Sequence, residues 1–254
     1  MSDCVHCVWK KRAKRSNFPL KKKIHPLMTN SYVLNTIPCR IPSERLWERT
    51  HIEPDSDYGV EIQPMVEEAL AIAEPKGFYT VELVEPGEYD AVHIQGVEFK
   101  SRVLRVNLES VHRVFPFVVT CGTELDEWSN GFDDILQKFW ADTIKEVVLE
   151  SANEYLTEHL EERFQTGSLA SMNPGSLEDW PISEQKKLFA LLGDTRTTIG
   201  VTLTETYLMI PTKSVSGIYF PTEEGFESCR LCPRDPCHGR RAPYDEELYE
   251  NKYR

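Results

Sequence analysis

The chain has 254 residues, of which 40% are hydrophobic and 28% are charged, and its formal net charge is −12 at pH 7. This length and composition suit one large globular domain or two small ones with an ample core. No run approaches the roughly eighteen apolar residues of a membrane-spanning helix, and the N-terminus lacks an apolar signal segment, so we expect a cytoplasmic protein with no membrane partner.

Positive charge is concentrated in the N-terminal segment. Residues 1–23 hold eight Lys or Arg and one acidic residue, whereas the rest of the chain holds 21 basic and 40 acidic residues. Nucleic-acid-binding domains are typically basic on their folded body, so this acidic body argues against a nucleic-acid partner. The basic segment is expected either to dock on an acidic surface or to remain solvated.

Residues 1–58 are predicted to form a basic, cysteine-containing arm and an extended segment. Cys4 and Cys7 are either half of a metal site completed by further ligands, with His6 or Cys39 as possible members, or ordinary thiols in a frayed tail. Several prolines and little periodicity predict extended chain up to residue 57, with one helical turn around Leu46.

Residues 59–225 are predicted to form an α+β body. A helix is expected over Gln63–Glu74, because apolar residues recur there at spacings of three and four. Strand-like runs follow at Gly77–Val84, Val92–Phe99, Val103–Leu108 and Val114–Thr120. Their short connections imply an antiparallel sheet. The stretch Asp133–Phe164 carries the apolar stripe of a long amphipathic helix, which we expect to pack on that sheet.

The second half of the body is expected to finish the sheet. Residues 168–182 form a Pro- and Gly-containing loop, in which Trp180 either closes an edge of the core or lines a pocket. A short helix should run from Ser183 to Leu192 and stop at Gly193. Alternation of apolar residues within 201–220 then predicts two strands separated by the break at Pro211.

Several short blocks in this half resemble a known family. They are Pro174-Gly175 followed by a helix, Thr204-Glu205-Thr206, Met209, Pro211 and Lys213-Ser214-Val215-Ser216-Gly217. In this order the blocks resemble the activation domain of cobalamin-dependent methionine synthase, over about the second half of the chain. The resemblance implies that family's fold, an antiparallel sheet packed against a long helix. It also implies binding of S-adenosylmethionine, and a partner that is a corrinoid-binding methyltransferase carrying cobalamin.

The resemblance also implies a ligand cleft. Its predicted cofactor-binding residues are Asn173, Pro174, Gly175, Ser176, Glu205, Lys213, Ser214, Ser216 and Gly217. Lys213 would contact an anion there, although the residues alone equally allow an ordinary turn lysine, and Glu205 could simply face water. Ser171 and Ser176 stand where the family's pattern has an arginine and a tyrosine. A serine offers neither the bidentate clamp of arginine nor an aromatic ring.

Residues 226–254 are predicted to form a cysteine cluster and a charged tail. Cys229, Cys232 and Cys237 lie within nine residues, near four arginines that would offset thiolate charge. Thiolates are soft ligands, so the candidates are an iron–sulfur cluster, zinc or no metal at all. The resemblance favours the iron–sulfur cluster, because reactivating a corrinoid needs a low-potential electron. Either metal site requires a fourth ligand, for which Cys121 or an N-terminal cysteine is the candidate.

Three functions follow from these patterns. The first is reductive activation of a corrinoid methyltransferase, with an electron delivered through the cysteine cluster and S-adenosylmethionine presented in the cleft. The second is a non-catalytic, zinc-stabilised assembly module that kept the fold, and the third is an electron carrier for an unrelated enzyme. The sequence contains no Ser-His-Asp, HExxH, P-loop or GxGxxG pattern, so no catalytic residue is assigned.

Overall fold

The computed structural model describes residues 30–237 and 239–254, so the arm with Cys4 and Cys7 lies outside the described residues. The strands are β1 (Ser31–Leu34), β2 (Lys76–Thr80), β3 (Glu82–Pro86), β4 (Ala91–Ile94), β5 (Val97–Lys100), β6 (Arg113–Thr120), β7 (Leu169–Met172), β8 (Thr202–Leu203), β9 (Met209–Ile210) and β10 (Ser214–Pro221). The helices are α1 (Ser43–Thr50), α2 (Asp57–Ile72), α3 (Arg102–Asn107), α4 (Thr123–Ser129), α5 (Ile135–Phe164), α6 (Gln185–Leu192) and α7 (Thr195–Ile199). Short helical turns cover Ile182–Glu184, Ser228–Leu231 and Tyr249–Tyr253.

An antiparallel sheet organises the fold, and β6 is its central strand. On one side β6 pairs with β10, which in turn pairs with β7. On the other side β6 pairs with β2 along its C-terminal half and with β3 at its start. The strands β1, β4 and β5 extend this sheet outward, while β8 and β9 form a separate hairpin. The predicted antiparallel α+β fold is confirmed.

Apolar side chains cover both faces of this sheet. Along β6, Val114 and Val118 point to one face, and Phe115, Phe117 and Val119 point to the other, as strand alternation requires. We call the first the α6 face, because the apolar residues of α6 pack there, and the second the α5 face, because α5 packs there. The sheet is therefore sandwiched between two helical layers.

The long helix α5 is the longest element, as predicted from its apolar stripe. It begins at Ile135, because the Asp134 carboxylate accepts hydrogen bonds from the backbone N–H groups of Leu136 and Gln137, at 2.9 and 3.0 Å. It runs for 30 residues to Phe164. None of the helices in the described ranges has the length and apolar character needed to cross a membrane.

Helix α1 replaces the single helical turn that was predicted. It docks on α5 through buried Leu46 and through ion pairs of its arginines with an acidic stripe of α5. Arg45 contacts Glu154 at 2.6 Å, and Arg49 contacts both Glu146 and Glu150. Proline-rich sequence without clear periodicity can thus become helical when a tertiary surface supplies its partners. Helix α2 spans the predicted boundary at residues 58 and 59, and the division into arm, body and tail stays a prediction.

The predicted strand Val103–Leu108 is wrong, because this segment forms α3. Ser101 caps the helix by accepting a hydrogen bond from the backbone N–H of Leu104 at 2.9 Å. The carboxylate of Asp179 accepts from the next two N–H groups, those of Arg102 and Val103, at 3.1 Å each. Asp179 lies far away in sequence, so this part of the cap is a tertiary contact. It favours a helix in a segment whose β-branched valines would otherwise favour a strand.

Two further elements were not predicted from the sequence. Strand β7 lies within the expected loop 168–182, and α4 follows β6 directly. Conversely, the run Val92–Phe99 is two strands, since Gln95 and Gly96 both take positive φ angles and turn the chain into a tight hairpin. Short edge strands such as β7 carry too few residues to show a clear period.

Candidate functional site

The turn after β7 brings two of the predicted blocks together. The Asn173 side-chain amide donates a hydrogen bond to the backbone carbonyl of Ser216 at 2.8 Å. Gly175 has a φ angle of 88°, which favours glycine, and its N–H donates to the carbonyl of Trp180 at 2.7 Å. The Pro-Gly turn is thereby fixed against β10 on one side and against the core on the other.

Gln185 is a site residue that the sequence analysis missed. Its side-chain amide donates to the hydroxyl of Ser216 at 3.1 Å, and both side chains are buried. Among the described residues, the Gln185 Oε1 atom has no hydrogen-bond partner. Gln185 stands three and four residues before buried Leu188 and Phe189, so helical spacing would have placed it on the buried face. A polar residue on an apolar face was the available signal.

Gly217 packs against this turn, whereas Lys213, Ser214 and Glu205 lie away from it. The Lys213 Nζ atom is 2.9 Å from carboxylate oxygens of both Asp142 and Glu146 on α5. Burial lowers the pKa of Lys213, but its hydrogen bonds to these two carboxylates outweigh burial and raise it above its ordinary value. Ser214 donates to the carbonyl of Pro211 at 2.7 Å, and Glu205 is exposed in the turn between β8 and β9. The structure therefore commits Lys213 to two carboxylates rather than leaving it as a free anion contact.

Ser171 and Ser176 lie in different parts of the structure. In the β7–β10 pairing Ser171 lies opposite Tyr219, which packs on the α5 face. Ser176 belongs to the Pro-Gly turn, whose next residue, Leu177, packs on the α6 face. Ser171 thus lies within the sheet, whereas Ser176 lies in the exposed turn that follows β7.

The three C-terminal cysteines lie in one irregular loop after the short helical turn Ser228–Leu231. The backbone N–H of Arg241 points at the Sγ atom of Cys229 at 3.5 Å. The N–H of Arg240 donates to the carbonyl of Cys237 at 3.3 Å, which closes a turn beside Cys229. All three cysteines are partly exposed, as Cys39 is, whereas Cys121 is buried.

Cys121 and Cys39 belong to the core instead. Cys121 is fully buried at the end of β6, where its N–H donates to the carbonyl of Lys213 at 3.0 Å. It packs on the α5 side with α2 and α4, whereas Cys232 packs against the cluster of the α6 face. Burial raises the pKa of Cys121 to about 12 and that of Cys39 to about 11, so both remain protonated thiols at neutral pH.

The structure thus does not bring Cys121 to the cysteine loop as the predicted fourth ligand. Within residues 30–237 and 239–254, no three His, Cys, Asp or Glu side chains lie close enough together to hold a metal ion. The donor atoms nevertheless suit a thiophilic metal, since three thiols share a short loop beside N–H donors and arginines. Binding would require the loop to draw its thiols together.

A cavity of about 470 Å³ joins the Pro-Gly turn to the cysteine loop. It is lined by Val103, Ser176, Leu177, Glu178, Asp179, Leu231, Cys232, Pro233, Tyr244, Asp245 and Tyr249. Burial, followed by the nearby carboxylates of Asp179 and Asp90, raises the pKa of Tyr249, so its hydroxyl stays protonated. Two aromatic rings, several carboxylates and apolar walls suit an aromatic ligand that carries a positive charge.

Comparisons with known proteins confirm the resemblance. Residues 112–228 match the family model described as "Vitamin B12 dependent methionine synthase, activation domain". A crystal structure of the MetH reactivation domain bound to AdoHcy shares the fold at a TM-score of 0.54 and 18% identity, over 78% of this chain and 81% of that chain. No curated protein sequence matches the chain. The family match ends at Ser228, immediately before the cysteine loop.

Proposed function

Because residues 112–228 match the activation domain of vitamin B12 dependent methionine synthase, we propose that this chain reactivates a corrinoid-dependent methyltransferase. In this proposal it holds an S-adenosylmethionine-type ligand and passes an electron through its C-terminal cysteine loop. The cavity lined by Ser176 and Cys232 is the observation that supports joining the two activities, because it extends from the Pro-Gly turn to the cysteine loop.

The cavity walls match the chemistry of this ligand. S-adenosylmethionine combines an adenine ring with a sulfonium and an ammonium group. Tyr244 and Tyr249 provide rings for stacking and for contact with a cation, and Glu178 adds an exposed carboxylate at the rim. Asp245 already pairs with Arg230 at 2.8 Å, so it contributes less free charge. The tyrosines would take over stacking at a site where Ser176 has no ring.

The proposed reaction balances with one external electron. A low-potential redox protein donates one electron, which reduces the partner's corrinoid cobalt from Co(II) to Co(I). The methyl group of S-adenosylmethionine then moves to cobalt as its bond to sulfur breaks, and S-adenosylhomocysteine leaves. A thiolate-ligated iron–sulfur cluster would supply the low-potential one-electron site in this chain. The residues of the chain bind the ligand, orient its methyl group and exclude water.

The metal proposal is tested by composition. After anaerobic reconstitution we expect about four irons and four sulfides per chain with a broad visible absorbance. Cys232→Ser should lose most of this metal, whereas Cys121→Ser should keep it, because Cys121 lies away from the loop. Iron content, acid-labile sulfide and the visible spectrum are measured on the wild-type chain and on both variants. A wild-type chain without iron would refute electron delivery through this loop.

One zinc per chain without sulfide would instead favour the second function, a zinc-stabilised assembly module. Two observations favour this alternative: serine replaces the family's arginine at Ser171, and Cys121 does not reach the cysteine loop.

Capture of the chain by a purified corrinoid-binding methyltransferase separates reactivation from an unrelated electron carrier, because only the first requires that complex.

The ligand site is tested by calorimetry with S-adenosylhomocysteine. Tyr244→Ala should weaken binding by about tenfold, equivalent to about 1.4 kcal/mol of lost stacking. Tyr89→Ala removes a tyrosine that is 91% exposed outside this cavity and should leave binding unchanged. If Ser171→Ala weakens binding while Tyr244→Ala does not, the ligand lies on the α5 face and the cavity assignment is wrong.

A further inference from the structure

We propose that Tyr253 is a positioning residue that anchors residues 244–254 on helix α3, so that they form the aromatic wall of the ligand cavity. We call residues 244–254 the C-terminal segment. This inference rests on the proposed function, whose S-adenosylmethionine-type ligand occupies that cavity. It assigns a role to a part of the chain beyond the family match, which ends at Ser228.

The cavity is lined by residues from distant parts of the chain. One set comes from the Pro-Gly turn, residues 176–179, together with Val103 of α3. Tyr244, Asp245 and Tyr249 come from the C-terminal segment. Both rings proposed to stack on the ligand therefore belong to this segment, and they stay at the cavity as long as the segment is held in place.

Tyr253 inserts into the core of the α6 face. It is 1% exposed, whereas Tyr244 and Tyr249 are 46% and 40% exposed. The Tyr253 hydroxyl donates to the side-chain carbonyl of Asn107, the last residue of α3, at 3.0 Å. Its ring centroid lies 6.2 Å from that of Tyr249. Tyr253 is thus the buried point that fixes Tyr249 beside the cavity.

Arg102, the first residue of α3, holds the main chain of the same segment. Its Nε atom donates to the carbonyl of Tyr253 at 3.0 Å, and a terminal nitrogen donates to that of Arg254 at 2.8 Å. The backbone N–H of Arg102 donates to the carboxylate of Asp179, which lines the cavity, at 3.1 Å. Helix α3 therefore binds both sets of lining residues and fixes their separation.

The other end of the C-terminal segment is held by surface contacts. Asp245 pairs with Arg230 at 2.8 Å, and its N–H donates to the Arg230 carbonyl at 2.9 Å. Both side chains of this pair are exposed. Exposed ion pairs stabilise little, whereas the burial of an aromatic ring stabilises much more. Tyr253 is therefore the stronger anchor of the segment.

The test compares Tyr253→Ala with the matched control Tyr79→Ala in the full chain. Tyr79 is also fully buried, but it packs on the α5 face and does not line the cavity. We expect Tyr253→Ala to weaken S-adenosylhomocysteine binding by about 10- to 100-fold, because two stacking rings lose their support. Tyr79→Ala should keep wild-type affinity, as measured by calorimetry at a temperature where both variants are folded.

Hydrogen exchange provides a second measurement, on protein without ligand. The amides of residues 244–254 should exchange at least about tenfold faster in Tyr253→Ala but not in Tyr79→Ala. Arg102→Gln keeps the buried ring and removes the hydrogen bonds to the carbonyls of Tyr253 and Arg254, so it should accelerate the same amides to a smaller extent. In the wild type, S-adenosylhomocysteine should slow their exchange, because ligand binding and docking of the segment stabilise each other.

Three results would overturn the inference. Unchanged exchange in Tyr253→Ala would show that other contacts hold the segment. Faster exchange with wild-type affinity would show that the ligand does not use this wall, and an equal loss of affinity in Tyr79→Ala would show a general effect of lost stability. If the wild type binds no S-adenosylhomocysteine, the proposed ligand fails, whereas hydrogen exchange still decides whether Tyr253 anchors the segment.

Discussion

Trp180→Ala is expected to lower the free energy of unfolding by about 3–5 kcal/mol, the usual cost of removing a fully buried tryptophan. Trp180 is 0% exposed and packs edge-to-face on Phe99, with ring centroids 6.0 Å apart. Its carbonyl accepts the Gly175 N–H, and its ring anchors the segment that ends the Pro-Gly turn. The loss of the ring should therefore also loosen the adjoining cavity wall.

Urea unfolding followed by circular dichroism measures this effect without relying on tryptophan fluorescence. Trp128→Ala is the matched control, since Trp128 is only partly buried and should cost less. A loss below about 1 kcal/mol in Trp180→Ala would mean that the surrounding side chains close the cavity. In that case the anchoring role of Trp180 would be rejected.

Gly217→Ala is expected to lower the free energy of unfolding by about 1–3 kcal/mol and to weaken S-adenosylhomocysteine binding. A Cβ atom at Gly217 would overlap the backbone oxygen of Met172 and lie 2.5 Å from the Asn173 side-chain nitrogen. Backbone cannot move aside as a flexible side chain can. The β7–β10 seam and the bond from Asn173 to Ser216 should therefore both be disturbed.

Gly77→Ala is the matched control, because Gly77 also lies in a strand of this sheet. A Cβ there would make ordinary contacts, the nearest at 3.4 Å from Ile37. Unfolding midpoints and calorimetric affinities are compared for the two variants. If Gly217→Ala keeps wild-type stability and affinity, the Asn173 turn does not depend on close approach to β10.

Much of the fold was readable from the sequence because it is encoded locally. The long apolar stripe of α5 specified its helix to within two residues at the start, and β6 was placed within one residue. The blocks at Pro174 and Lys213 indicated a resemblance to the activation domain, and the family-model match over residues 112–228 confirms that resemblance. These signals survive because periodicity and motif spacing are properties of neighbouring residues.

The site was less predictable, since its parts are joined by distant contacts. The Asn173 side chain contacts the backbone of Ser216, but Lys213 is held by two carboxylates of α5 that no local sequence pattern indicates. Cys121 looked like a fourth ligand because thiols are soft donors, yet its place in the core depends on which face of the sheet it occupies. A one-residue change of register would reverse that face.

By itself the sequence determined the antiparallel α+β class, the long helix, the activation-domain resemblance and the presence of three clustered thiols. Only the tertiary structure decided that α3 is a helix, because its cap at Asp179 comes from the remote loop that Trp180 anchors. It also decided that the Pro-Gly turn and the cysteine loop share one cavity. Such choices depend on groups far apart in the chain, whose hydrogen bonds and burial exist only once the sheet has brought them together.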